Sequence, residues 1–344
     1  MFLISLPNVK TSEGLMLLFS MKTQLQRLWL ISGILLFFFC QEKPLFAQQG
    51  DTYAHDPSTI QHDGKNYWIF STGQGIKIDV SSDLNVWKTA KQTVFAKDSF
   101  PSWIKEYVPG FKGHFWAPDC IFMNKKYYLY YSCSTFGSSQ SVIGLATNPS
   151  LNPESPDYKW TDEGMVVSSG ERKDMNAIDP GLLKDTQGKI YLTYGSFFGG
   201  IGAVELDSVS GKIKSRQVIQ KVAGGRESDW EASCMIQEGR YYYLFVNNGL
   251  CCKGVNSTYY IVAGRSENPT GPFLDKSGKD LNAGGGTVLL RTEGKYIGPG
   301  HVGLLREKNR KIVSIHFYDA EDEGKSKFEF IKIGFKNNWP YLKR

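Results

Sequence analysis

A degenerate repeat constrains this chain more than any other feature. Five times a polar residue, usually beside proline, opens a short apolar run, which passes through a tight polar turn into a dense aromatic strand. The copies run from His55-Asp56-Pro57 to Tyr67-Trp68-Ile69-Phe70, from Trp116-Ala117-Pro118-Asp119 to Tyr127-Tyr128-Leu129-Tyr130-Tyr131, and from Ile178-Asp179-Pro180 to Ile190-Tyr191-Leu192-Thr193-Tyr194. The fourth runs from Trp230-Glu231-Ala232 to Tyr241-Tyr242-Tyr243-Leu244-Phe245, and the fifth from Pro299-Gly300-His301 to Ile312-Val313-Ser314-Ile315. Each copy reads as a β-hairpin turning at Asp63-Gly64, Asn124-Lys125, Gln187-Gly188, Glu238-Gly239 or Lys308-Asn309. Asp56, Asp119, Asp179, Glu231 and His301 follow one another at intervals of 63, 60, 52 and 70 residues. Such intervals hold four short strands with their loops, which is one propeller blade. The expected fold is therefore all-β, a five-bladed β-propeller. No Ser/Gly/Pro-rich linker interrupts residues 51–344, so residues 48–344 read as one domain. An aromatic content of 14% and 36 glycines fit many short strands joined by tight turns.

The inner strands of a propeller surround one axis, so polar residues at their starts converge there. Asp-Pro and Pro-Asp are also ordinary turn signals, which is the simpler reading of any single copy. Acids in four of the five copies favour a site. Converging carboxylates suit glycoside hydrolysis, where one activates water and a protonated one donates to the leaving oxygen. That acid must stay protonated near neutral pH, through burial or a neighbouring negative charge. Trp116, Phe136, Phe197, Phe198 and Trp230 lie close in sequence to these positions and are candidates to stack on sugar faces.

The N-terminus reads as an upstream extension followed by a signal peptide beginning at Met21. Lys22 and Arg27 precede an apolar run from Leu28 to Phe39, and Pro44-Leu45-Phe46-Ala47 supplies a cleavage site. The run is short for a membrane span, so residues 1–47 are expected to be removed on secretion or export to the periplasm. Cys40, at the end of the run, is an alternative point of lipid attachment. Export permits disulfides, and Cys251-Cys252 reads either as a vicinal disulfide or as two thiols. No Cys/His spacing resembles a zinc site. The net charge of +6 owes +2 to the first fifty residues. No basic block interleaves with aromatics, which argues against a nucleic-acid partner.

Taken in order, several segments resemble glycoside hydrolase family 43, and within it the endo-1,5-α-L-arabinanases. They are His55-Asp56-Pro57-Ser58, Phe115-Trp116-Ala117-Pro118-Asp119, Ser134-Thr135-Phe136-Gly137-Ser138 and Ile143-Gly144-Leu145-Ala146-Thr147. Further along come Asn176-Ala177-Ile178-Asp179-Pro180, Gly195-Ser196-Phe197-Phe198, the run from Cys251 to Tyr259, and Gly298-Pro299-Gly300-His301. The resemblance implies a five-bladed propeller that hydrolyses arabinan with inversion. It makes Asp56 the general base, Glu231 the general acid, and Asp179 the residue that tunes the acid and orients the sugar. It assigns substrate contacts to His55, Trp116, Asp119, Phe136, Gly137, Asn176, Ala177, Ile178, Ser196, Phe197 and Phe198. It places His301 beside a largely water-coordinated calcium ion, in an enzyme expected to act as a monomer on the arabinan side chains of pectin.

Two departures stand out. Relatives usually have Glu-Ala-Pro where this chain has Glu231-Ala232-Ser233, and many have Ser-Phe-Trp-Ser-Gly where it has Ser196-Phe197-Phe198-Gly199-Gly200. Both bear on linkage and chain-length preference more than on reaction type. An exo-acting α-L-arabinofuranosidase or β-xylosidase of the same family is the nearest alternative. A non-catalytic glycan-binding propeller would have no need of three carboxylates.

Overall fold

The structure is a computed structural model and describes residues 48–225, 228–307 and 310–344. The leader, Cys40 and the Lys308-Asn309 turn lie outside the described residues. The rest is a ring of five antiparallel sheets. Blade I comprises Gln61–His62, Tyr67–Ser71, Lys77–Ser81 and Val86–Thr89, with Gln49–Gly50 added in parallel along its outer edge. Blade II comprises His114–Met123, Lys126–Cys133, Ser141–Asn148 and Thr161–Ser169, and borrows Gly73–Gln74 from the chain leaving blade I. Blade III is Gly181–Lys184, Ile190–Tyr194, Ile201–Leu206 and Gln220–Ala223. Blade IV is Trp230–Glu238, Tyr241–Asn248, Tyr260–Ser266 and Thr287–Leu290, and blade V is Tyr296–Glu307, Arg310–Asp319, Lys325–Lys336 and Trp339–Lys343. Among the described residues no helix is long and apolar enough to cross a membrane.

The aromatic strands show why the blades pack as a ring. Alternate side chains on a strand point to opposite faces. In blade II, Tyr127, Leu129 and Tyr131 enter a core shared with Trp68 and Phe70 of blade I. Tyr128 and Tyr130, between them, enter a core shared with Leu192 and Tyr194 of blade III. Blade IV repeats this, sending Tyr242 and Leu244 toward blade III and Tyr243 and Phe245 toward blade V. The second strand is thus apolar on both faces because each blade is sandwiched between two others. The fifth core joins the ends of the chain, packing Ile69 and Trp87 of blade I against Ile312, Phe328 and Phe330 of blade V. Ile60 N–H donates to Leu304 O at 3.1 Å, and Phe328 N–H to Thr52 O at 3.0 Å, across the same seam.

One backbone feature recurs with the blades and places the site. Near the start of the inner chain of every blade stands a non-glycine residue with positive φ: Asp56 (51°), Ala117 (40°), Asp179 (58°), Ala232 (52°) and His301 (57°). In blades II, IV and V the ladder register slips at this point, as a β-bulge requires. Left-handed backbone is costly for these residues and persists where the surroundings enforce it. Here the freed N–H groups are taken by side chains. Asp56 N–H donates to His316 Nδ1 (3.2 Å), Ala117 N–H to Thr72 Oγ1 (2.8 Å) and Asp179 N–H to Ser132 Oγ (3.0 Å). Ala232 N–H donates to Asp179 Oδ2 (3.0 Å) and His301 N–H to Asn247 Oδ1 (2.9 Å). Each acceptor lies on the preceding blade.

Candidate active site

This conformational repeat shifts the alignment read from the sequence. Asp56, Asp179 and His301 occupy the left-handed position itself. In blades II and IV that position is alanine, so Glu231 stands one residue before it and Asp119 two after.

Asp56 is mostly buried. Its Oδ2 accepts a hydrogen bond from Thr72 Oγ1 at 2.7 Å. Its Oδ1 lies 3.3 Å from His301 Nδ1, 3.5 Å from His316 Nδ1 and 3.6 Å from His55 Nε2. Burial alone would raise its pKa. His55, His301 and His316, with the Thr72 hydroxyl, overcome that and hold the carboxyl well below the usual range. Burial in turn lowers the pKa of His301, and that of His316 more strongly. Both rings are therefore neutral near neutral pH, where Asp56 is already ionised. Because His316 Nδ1 accepts the Asp56 N–H, its proton sits on Nε2, a buried nitrogen with no hydrogen-bond partner.

Glu231 has a different environment. Ser196 Oγ lies 2.7 Å from its Oε2 and Tyr259 OH 2.9 Å from its Oε1. Burial dominates, raising its pKa to about 7 against the two hydroxyls, with Asp56 and Asp229 adding repulsion. Asp179 is also raised, by burial first and then by the charges of Glu231 and Asp56, while the Ala232 N–H opposes the shift. Glu231 and Asp179 titrate as a pair. Two such neighbours do not both ionise readily, so the pair retains a proton into the neutral range.

The other expected residues divide into groups. His55 packs at a 32° tilt against His316 with ring centroids 4.2 Å apart, its Nδ1 3.2 Å from Ser326 Oγ. Ser196 hydrogen-bonds Glu231, as above. Trp116 directly precedes the blade II bulge, and its Nε1 donates to His114 Nδ1 at 3.1 Å. Asn176, Ala177 and Ile178 form the buried approach to Asp179, where Ser169 Oγ accepts the Ala177 N–H at 2.9 Å and lies 3.3 Å from Asn176 Oδ1. Phe197 and Phe198 both have positive φ, and Phe197 N–H donates to Trp230 O at 2.9 Å. The Arg172 guanidinium stands 4.8 Å over the Phe198 ring. Phe136 is 90% exposed and Gly137 has φ 78° with open space beside it, so both project from the loop after Lys126–Cys133.

Asp119 corrects the sequence reading. Its Oδ1 accepts the Thr59 N–H at 2.9 Å and its Oδ2 the Leu182 N–H at 2.8 Å. The carboxyl is spent tying blade II to blades I and III rather than offered to substrate. Thr59 and Leu182 line an axial cavity of about 280 Å³ with Cys120, Met235 and Leu304. Burial raises Asp119 to about 6 against those N–H bonds.

Sequence reasoning missed His316, Thr72 and Tyr259. His316 stands between two apolar residues in Ile315-His316-Phe317 and pairs across its hairpin with Gly300, beside His301. That register was the available signal.

The geometry permits a limited test of the calcium site. Among the described residues, the side-chain groups close enough to hold one ion are His55, Asp56 and His316, and His55, Cys251 and Cys252. Neither contains His301, and neither approaches the roughly 6–8 oxygens calcium prefers. A protein cage for calcium does not fit. That leaves the water-held ion expected beside His301 as the form to test.

A propeller that brings an ionised carboxylate and a proton-retaining carboxyl pair to one end of its axis defines a class, the acid–base glycosidases. The family model for glycosyl hydrolases family 43 matches residues 50–331, and the chain belongs to that family. It is 36% identical to an extracellular exo-α-(1→5)-L-arabinofuranosidase of Cellvibrio japonicus over 91% of this chain and 92% of that one. It is 38% identical to an extracellular endo-α-(1→5)-L-arabinanase of Bacillus subtilis over 83% and 86% respectively. Among solved structures, an exo-1,5-α-L-arabinanase from a bovine ruminal metagenomic library superposes with a TM-score of 0.80 at 42% identity, covering 86% of this chain and 99% of that one.

Proposed function

We propose that this protein is an inverting glycoside hydrolase that cleaves α-1,5-linked L-arabinofuranosyl bonds within arabinan. One observation carries the reading: Asp56, its pKa lowered, is ionised across the neutral range, while burial keeps a proton on Glu231 up to about pH 7. Asp56 takes a proton from water as that water attacks the anomeric carbon. Glu231 passes its proton to the departing glycosidic oxygen, through a transition state of oxocarbenium character. Asp179 shares the acid's titration and holds the Ala232 N–H, fixing the backbone beside Glu231. Calcium, held through water at His301, would supply positive charge that offsets the crowded carboxylates. Elemental analysis of the purified protein, before and after chelation, tests that ion directly. The extracellular naming of both curated relatives supports export, and the enzyme is taken to act as a monomer.

Exo action is the second reading, because the Cellvibrio and ruminal relatives carry exo names. Assays on linear arabinan, branched arabinan and xylan, with products followed by NMR, distinguish the cases. A ladder of oligosaccharides with inverted anomers from linear arabinan is expected. Release of a single short product from chain ends would replace endo by exo action, and a retained anomer would remove the mechanism.

A further inference from the structure

The loop that leaves Tyr241–Asn248 and returns at Tyr260–Ser266 reaches Glu231 directly and Asp56 through His55. Tyr259, at its end, has its hydroxyl on Glu231. Near its start Cys251 and Cys252 form a disulfide, and Cys252 Sγ lies 3.5 Å from His55 Nε2, whose ring stands beside Asp56. The loop is well anchored. Gly249 N–H donates to Asp229 Oδ2 (3.1 Å), Thr258 N–H to Leu250 O (2.9 Å) and Lys253 N–H to Ser257 Oγ (3.1 Å). Cys252 N–H donates to Tyr318 OH of blade V at 2.6 Å. Cys252 has positive φ (65°), is exposed, and follows the part-exposed Leu250 and Cys251. A loop of blade IV thus crosses blade V and presents a disulfide to solvent beside the base.

On the base side, the side chains around Asp56 are His55, His301, His316, Thr72 and Tyr318, all with polar atoms. A disulfide has no N–H or O–H donor and behaves toward a sugar as a soft, apolar, polarisable surface. A pentose ring has polar edges and an apolar C–H face that needs such a surface when its hydroxyls are hydrogen-bonded elsewhere. We propose that Cys251–Cys252 is a substrate-contacting wall, against which the C–H face of the pentose ring processed by Asp56 is packed. The inference rests on the hydrolase reading above.

The decisive experiment uses the intact enzyme carrying Asp56→Asn, so that a bound oligosaccharide persists. A dithiol reagent cleaves the exposed disulfide to two thiols and is itself oxidised to its cyclic disulfide. Cys120, Cys133 and Cys234 are buried, so thiols appearing early report the vicinal pair. Saturating linear arabino-oligosaccharide, with binding confirmed by calorimetry, should slow the reduction at least about tenfold. A double variant, Cys251→Ser with Cys252→Ser on the otherwise native enzyme, should raise KM about tenfold while kcat changes little. Oligosaccharide that binds yet leaves the reduction rate unchanged would overturn the proposal and leave the hydrolase reading standing. Absence of both binding and arabinan cleavage would remove the two together. If the double variant fails to fold, the protection measurement still decides.

Discussion

The two sides of the site use burial to opposite ends. Asp56 and Glu231 are both carboxyls removed from bulk water at one end of one axis. On the Asp56 side three imidazoles and a threonine hydroxyl surround the group, and its pKa falls. On the Glu231 side burial prevails over two opposing hydroxyls, Asp56 and Asp229 add repulsion, and its pKa rises to about 7. Desolvation alone would raise both, so the neighbours set the two pKa values apart, and the proposed mechanism takes the lower as base and the higher as acid. The propeller makes this possible by drawing those neighbours from different blades, V and I on one side and III and IV on the other.

The strongest test removes each function separately. Asp56→Asn should abolish water activation and lose about 10²–10⁴-fold in kcat on every substrate. Glu231→Gln should lose a similar factor on polysaccharide but far less on an aryl glycoside whose leaving group needs no proton. Equal losses on both substrates for Glu231→Gln would erase the distinction between the two sides.

Asp179 tests what keeps the acid protonated. A raised pKa means Glu231 holds its proton below about pH 7 and loses it as the pH climbs through that value. Activity on polysaccharide should therefore fall on the basic side near neutrality. Because the two carboxyls share their titration, Asp179→Asn takes away the partner that opposes full ionisation of the pair, and the basic limb should move to lower pH, with a slower plateau. A limb that stays in place, with only KM raised, would reduce Asp179 to a sugar contact. The acidic limb belongs to Asp56 and should lie below the usual carboxylate range in both proteins.

Thr72→Val sharpens the base side alone. Thr72 Oγ1 donates to Asp56 and accepts the Ala117 N–H, linking the base to the bulge of the next blade. The isosteric change removes both bonds, and about a tenfold fall in kcat is expected, with the acidic limb rising toward the ordinary carboxylate pKa. The basic limb should not move.

How much of this was legible in the sequence depends on what periodicity encodes. The five blades were, because each second strand repeats the same aromatic alternation between two polar turns. The convergence of Asp56 and Glu231 followed from the repeat, whereas the roles proposed for them come from the family resemblance. The left-handed residue that starts each blade was not legible. Alanine fills it in blades II and IV, and nothing in Trp-Ala-Pro or Glu-Ala-Ser announces a positive φ. Missing that register brought Asp119 into the pocket by analogy with Asp56 and Asp179. Thr72 and His316 were hidden for a related reason: each serves the blade that follows its own, and that seam has no local sequence signature.

Asp119 supplies the smallest expected effect on rate and the sharpest contrast with Asp56. Both are buried aspartates near the inner end of neighbouring blades. One faces imidazoles and a threonine hydroxyl, while the other accepts two backbone N–H groups from blades I and III. Asp119→Ala leaves those N–H groups buried without their acceptor, at about 1–3 kcal/mol for each unsatisfied group. Thermal unfolding should shift down by several degrees. Well below the transition, kcat and the pH limbs should stay within about twofold of the parent, because no reacting atom is touched. The group's own titration adds a second signature. Its folded pKa of about 6 lies above the unfolded value, so its contribution favours folding below about pH 4 and is lost as the pH rises through about 6. The stability difference between parent and Asp119→Ala should therefore be larger at pH 4 than at pH 7. A variant with a lowered melting temperature and an intact rate places Asp119 in the scaffold. One with an intact melting temperature and a collapsed rate would return it to the pocket and restore the simple alignment of acids.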